Sequence, residues 1–163
     1  MPSTYTPIAT QTLGSSASTV TFSSIPSTYT DLRIVVIGNG TVNNAAAIKF
    51  NSDTGTNYSA TELYGNGTSA GSQRRTSSTQ FPLTIWGGLG TAPSLYTIDI
   101  FSYANTSTYK TSIVRGNTPT GTYASTSALV GLWRSTAAIN QIDFIDITWI
   151  AGTTFTLYGI KAA

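Results

Sequence analysis

Short runs of β-branched and aromatic residues, broken every few positions by Gly, Pro, Asn or Asp, recur along the whole chain. No stretch of useful length has the spacing of an amphipathic helix, so the pattern predicts an all-β protein. Tyr5 to Leu13 and Thr19 to Ser23 are expected as the first strands, with Ile25-Pro26-Ser27-Thr28 a turn fixed by proline. Asp31 to Ile37 is apolar at nearly every position after Arg33, which predicts an interior strand with both faces at least partly covered. Ala45 to Asn51 returns after Asn39-Gly40, with Ile48 and Phe50 on one face and Ala47 and Lys49 on the other. Tyr58 to Tyr64 follows the turn Ser52-Asp53-Thr54-Gly55. Gly65 to Thr79 is then expected as a long Gly/Ser loop of the kind that contacts a partner.

Gln80 to Trp86 resumes the sheet, and Pro82, which cannot donate to a ladder, restricts it to an edge or a bulge. After the loop Gly87 to Pro93, Leu95 to Ser102 alternates, with Tyr96, Ile98 and Ile100 inward and Thr97 and Asp99 outward. Thr108 to Arg115 and Ala128 to Arg134 add two strands. Asn140 to Ile160 is expected as two strands meeting at Ala151-Gly152. Its parity conflicts, because Ile142 and Phe144 share one phase while Ile145, Ile147 and Trp149 share the other. A β-bulge at Phe144-Ile145 would bring all five to the core and turn Asp143, Asp146 and Thr148 outward. The total is about ten strands with turn signals at the spacing of an antiparallel two-sheet sandwich. No composition shift divides residues 1–163, so one β-sandwich domain is expected, long enough to bury about two thirds of its unfolded surface.

Composition narrows the function. The chain has no Cys and no His, so disulfides, thiol nucleophiles, cysteine-ligated metals and histidine acid-base chemistry are excluded. Charged residues make up 9% of the chain, against an average of about 25%, which leaves the surface to Ser, Thr, Asn and Gly. A formal charge of +2 and no basic cluster beyond Arg74-Arg75 argue against nucleic acid as partner. No run has the apolar length of a membrane helix, and the start has neither the charged nor the apolar segment of a signal peptide; no membrane association is expected. The four glycosylation sequons, at Asn39, Asn57, Asn66 and Asn105, are expected by chance in a chain so rich in Ser and Thr.

Three patterns bear on chemistry. Asn51-x-Asp53-x-Gly55-x-Asn57 with Glu62 has the outline of a calcium loop, but Thr56 stands where Gly is required, so a hairpin turn with Asp53 bonding its own backbone is preferred. Gly65-Asn-Gly67-Thr-Ser-Ala70 meets a loose dinucleotide pattern without the strand and helix context it needs. Asp143 and Asp146 are the only close acids, and the predicted bulge points both to solvent. No catalytic residue, cofactor or metal is expected. Trp133 and Trp149 fall at core parity, whereas Trp86, beside Gly87-Gly88, is the better candidate for an exposed contact. In so charge-poor a chain Arg74 and Arg75 are the expected electrostatic handles on a partner.

Several phrases in order carry a resemblance: Val20-Thr-Phe-Ser-Ser-Ile-Pro-Ser-Thr-Tyr-Thr-Asp-Leu-Arg33, Ile48-Lys-Phe-Asn-Ser-Asp-Thr-Gly-Thr-Asn-Tyr-Ser59 and Leu63-Tyr-Gly-Asn-Gly67, then Gly131-Leu-Trp133, Thr136-Ala-Ala-Ile139 and Thr154-Phe-Thr-Leu-Tyr-Gly-Ile160. Together the chain resembles a family of tailed-bacteriophage virion proteins, jelly-roll-like domains that serve as capsid decoration (cement) or tail-associated parts. The chain is shorter between Gly67 and Leu95 than the family pattern. The resemblance implies a virion location and a capsid decoration protein, a homotrimer fastening neighbouring shell subunits, with the major capsid protein or other virion proteins as partners. The alternative it implies is a tail or fibre-tip domain binding host-surface carbohydrate. Decoration is favoured because no coiled-coil or repetitive shaft accompanies the domain.

Overall fold

The computed structural model describes residues 4–42, 44–119 and 124–161, and across them the chain forms twelve strands and no helix. In order these are β1 (Tyr5–Thr12), β2 (Val20–Phe22), β3 (Asp31–Gly38), β4 (Ala47–Phe50), β5 (Tyr58–Gly65) and β6 (Ala70–Ser78). They continue as β7 (Phe81–Pro82), β8 (Ser94–Phe101), β9 (Lys110–Pro119), β10 (Ala124–Trp133), β11 (Ile142–Ile145) and β12 (Thr154–Ile160). Eight strands form one antiparallel sheet in the order β1-β12-β3-β8-β9-β10-β5-β6, and four form a second in the order β2-β11-β4-β7. Neither sheet closes on itself, so the architecture is the predicted all-β sandwich, strongly unequal in its two layers.

Period-two alternation builds the core between the layers. From the large sheet Leu32, Ile34 and Val36 of β3, Ile98 and Ile100 of β8, and Phe155 and Leu157 of β12 point inward and are buried. Val20, Phe22, Ile48, Phe50, Ile142 and Phe144 of the small sheet meet them. Aromatic rings then knit the layers: Phe144 lies 4.9 Å from Phe155, which lies 4.9 Å edge-on to Trp149. Phe81 of β7 crosses β10 so closely that a Cβ on Gly131 would overlap its ring, at 1.5 Å. Gly131 is therefore required by the space the Phe81 ring fills.

Several boundaries differ from expectation. Gly65 to Thr79 is not a loop: only residues 66–69 turn, and β6 runs back along β5 as an edge strand, from Ala70 opposite Gly65 to Ser78 opposite Tyr58. A Gly/Ser/Thr/Arg sequence lacks the apolar alternation that marks strands, because an edge strand with little core beneath it needs none. Gln80 to Trp86 contracts to the two-residue β7, with Pro82 on the sheet edge as its missing donor requires.

Asn140 to Ile160 is not a hairpin, since β11 belongs to the small sheet and β12 to the large one. Nor is there a bulge at Phe144-Ile145: Ile142, Phe144 and Ile145 pair without a break opposite Phe50, Ile48 and Ala47. The phase changes one residue later, where Asp146 takes a left-handed conformation at φ 74° and ends the strand. Ile142, Phe144, Ile147 and Trp149 thereby all reach the core, while Ile145 stays half-buried. Asp146 is exposed, but Asp143, although at outward parity, is covered. It accepts hydrogen bonds from Thr21 Oγ1 (2.7 Å), Ser52 Oγ (3.2 Å) and Gln141 Nε2 (2.9 Å), side chains long enough to close over it.

Candidate contact surface

The small sheet covers only the inner face of the large one, so the outer face of β3, β8, β9, β10, β5 and β6 is open. Its side chains are set by the register. One row reads Arg33, Asp99, Ile113, Val130, Thr61 and Arg74 from β3 to β6. The next reads Val35, Thr97, Arg115, Ala128, Leu63 and Ser72. Large apolar residues stand exposed here: Ile37 at 54%, Leu63 at 64% and Val130 at 56%, with Leu95 and Phe101 beside them. Isolated exposed apolar residues are ordinary, but several on one sheet face form a patch. Shallow hollows of 410 Å³, over Arg33, Leu95, Thr97 and Arg115, and of 330 Å³, over Thr61, Arg74, Val130 and Leu132, indent it.

One ionic cluster sits within this face. Arg33 donates from Nε to Asp99 Oδ1 at 2.5 Å and from Nη2 to Oδ2 at 3.0 Å, and Arg115 Nη2 donates to the same Oδ2 at 3.0 Å. Arg33 Nη1 also donates to the Tyr5 hydroxyl at 2.8 Å, and its guanidinium lies over the Tyr5 ring. The hydrogen bonds to the Asp99 carboxylate hold the Arg33 pKa above its ordinary value. Asp99 is nearly buried, whereas the Arg115 side chain is 59% exposed. Two guanidiniums thus share one carboxylate and leave N–H donors of Arg115 toward solvent.

The residues expected to contact a partner do not gather in one place. Arg74 lies on the outer face opposite Thr61, while Arg75, opposite the inward-facing Ala60, turns to the other side of the edge strand and acts electrostatically on Asp146. Trp86 lies outside both sheets, half-buried, its ring stacked parallel on Tyr64 at 4.8 Å and 5°. Glu62, fully buried, fixes this loop. Its Oε2 accepts the backbone N–H of Ile85 (2.8 Å) and Trp86 (2.6 Å), and its Oε1 lies 2.7 Å from the Thr84 hydroxyl. Neither the ionic cluster nor the role of Glu62 is legible in the sequence. Arg33, Asp99 and Arg115 are far apart in the chain and only strand order unites them; Glu62 drew notice only as the end of a calcium pattern.

That pattern is a turn in which Asp53 bonds its own backbone, but it is not the expected hairpin, because it carries the chain from β4 of the small sheet to β5 of the large one. Asp53 accepts hydrogen bonds from Gly55 N (2.8 Å), Asn57 Nδ2 (2.9 Å) and Trp133 Nε1 (2.6 Å). Burial pushes the Asp53 pKa up, but these donors outweigh it and hold the carboxyl below its ordinary range. Gly65 to Ala70 is the β5–β6 turn, with Asn66 Oδ1 accepting from the backbone of Thr68 and Ser69. Among the described residues no group of three or more acids is placed to hold a metal ion, and no helix is long and apolar enough to cross a membrane. Lys110 is buried with its Nζ donating to the carbonyls of Thr108 (2.8 Å) and Thr136 (3.2 Å), and desolvation lowers its pKa. No protein-family model, curated protein or solved structure matches the chain.

Proposed function

We propose that the protein is a bacteriophage virion structural protein without enzymatic activity, a capsid decoration or cement protein that works as a homotrimer and stabilises the shell through protein–protein contacts. The observation that carries this reading is the open outer face of the eight-stranded sheet, with Ile37, Leu63, Leu95, Phe101 and Val130 exposed on it. Seven interstrand spacings and strands of about eight residues give that face about 34 Å by 27 Å, or about 900 Å² in projection. A standard interface buries about 800 Å² per partner, so a single docking event would use nearly all of it. The resemblance of the strand and turn phrases to phage virion proteins supports the same reading. Purified chain added to phage particles lacking it is expected to bind and to raise their disruption temperature, and Val130→Asp is expected to weaken binding. A chain that stays monomeric at high concentration and leaves such particles unbound would refute it.

A second reading has one observation in its favour. The Trp86 and Tyr64 stack, next to a hydroxyl-lined hollow bordered by Thr84, Ser125 and Ser127, has the form of a platform for the apolar face of a sugar. In this reading the chain is a tail or fibre-tip domain binding host-surface carbohydrate. A glycan array separates the two, because the decoration reading expects no saturable glycan whose binding is lost in Trp86→Ala.

A further inference from the structure

Where every charge of the chain sits tells what the outer face can bind. All six acidic side chains are engaged within the fold. Asp31 accepts the Ser102 N–H (2.7 Å), Asp99 takes Arg33 and Arg115, and Asp146 accepts from Gln80. Asp53, Glu62 and Asp143 are held by the donors described above. The basic residues are not matched to them, since among the described residues the ion pairs are those of Arg33 and Arg115 with the one Asp99. On the outer face Arg33, Arg74 and Arg115 are joined by Arg134, whose guanidinium bonds Ser59 Oγ and the Thr56 carbonyl. Four arginines there face two aspartates.

We infer that the outer face of the eight-stranded sheet docks onto a protein surface bearing carboxylates set among apolar residues, with Arg115 and Arg74 as its anchors; this rests on the proposed contact role of that face and names its partner's chemistry. A second copy of the chain does not fit. It would bring a second set of arginines and no uncommitted carboxylate, and like charges across an interface are costly. Nucleic acid fits poorly too, because Ile113, Val130 and Leu63 interrupt the arginines and break the continuous basic track that a phosphate backbone needs. A carboxylate seated in the 410 Å³ hollow would meet the solvent-facing N–H groups of Arg115 in the charge-assisted geometry that guanidinium favours. Leu95, which lines the same hollow, would flank it with apolar contact.

The test uses the full chain, isotope-labelled, and a short peptide in which glutamate alternates with leucine and serine. Its glutamine counterpart and a single-stranded DNA oligonucleotide of equal charge serve as the other probes, and arginine side-chain and backbone resonances report the site. The glutamate peptide is expected to shift Arg33, Arg115 and the residues of β9 and β10 with saturation, and Arg115→Gln is expected to weaken it about tenfold. Lys161→Gln, off this face, is expected to change it less than about twofold. Equal binding of the glutamine peptide, tighter binding of the oligonucleotide, or shifts spread over Lys49, Arg75 and Lys161 would each overturn the inference. The titration needs no phage particle, so its failure beside successful particle binding would refute the carboxylate chemistry alone. Its success beside failed particle binding would refute the virion reading alone.

Discussion

Glu62 is the most consequential buried charge, and its replacement by Gln or by Leu is expected to give very different results. The carboxylate has no cationic partner within ion-pair distance among the described residues; backbone donors and one hydroxyl satisfy it. In Glu62→Gln the amide oxygen can keep both backbone N–H groups, while Nε2 takes the place of Oε1 and donates to Thr84 Oγ1. The Thr84 hydroxyl then turns its proton to the Trp86 carbonyl, already 2.6 Å away. Only charge assistance is lost, about 1 kcal/mol, or a fall of about 3 °C in the unfolding midpoint. Glu62→Leu leaves two buried N–H groups without an acceptor, about 1–3 kcal/mol each, so a fall of about 10 °C follows. Thermal unfolding by circular dichroism measures both, and hydrogen exchange at Ile85 and Trp86 is expected to accelerate only in the Leu variant. If Gln were as damaging as Leu, the negative charge itself would be needed and the account of this site as neutral-donor capping would be wrong.

Three further outcomes follow from the packing and from the titrating groups. Gly131→Ala drives a methyl into the Phe81 ring, so a loss of about 3 kcal/mol, or about 9 °C, is expected, with partial recovery in the double variant with Phe81→Leu; strictly additive effects would show that the two do not meet. Because the Asp53 pKa is lowered on folding, its stabilisation is present above the usual value of 3.8 and is lost as the pH falls through the folded-state value. Asp53→Asn is therefore expected to lower the midpoint by about 4 °C at neutral pH, and the gap to the unmodified protein should close in acid denaturation below pH 3.8. Asp146 behaves oppositely: although its residue is exposed, partial desolvation of the carboxyl outweighs the pull of Lys49 and Arg75 and raises its pKa. The ionised form therefore opposes folding above the usual value of 3.8, weakly because solvent screens it, and the cost vanishes below it. Asn also tolerates the left-handed backbone at this position, so Asp146→Asn is expected to melt about 2 °C higher at neutral pH and to lose that advantage in acid.

The strands that face the core were legible because burial writes itself into alternation. Tyr96, Ile98 and Ile100, or Ile48 and Phe50, could be assigned a face before any sheet was known. β6 was not legible, since a strand at the edge of an over-wide sheet packs little beneath it and reads as Ser, Gln, Arg and Thr. The Asn140 to Ile160 stretch announced a phase change correctly, but the device differs. Left-handed Asp146 makes the change between two sheets rather than a bulge within one. Of the expected contact residues, Arg74 falls on the open face, Arg75 on its reverse and Trp86 on a separate loop. The Arg33, Asp99 and Arg115 cluster depends on β3, β8 and β9 being neighbours in register, which no local pattern encodes.

The central claim, that this chain is a repeated contact piece of a phage shell, is tested most directly by quantitative mass spectrometry of purified virions. A decoration protein is expected at a copy number in a fixed ratio to the major shell protein, on the order of hundreds per particle. A handful of copies per particle would place the chain at a tail tip, and its absence from the particle would contradict the virion reading altogether.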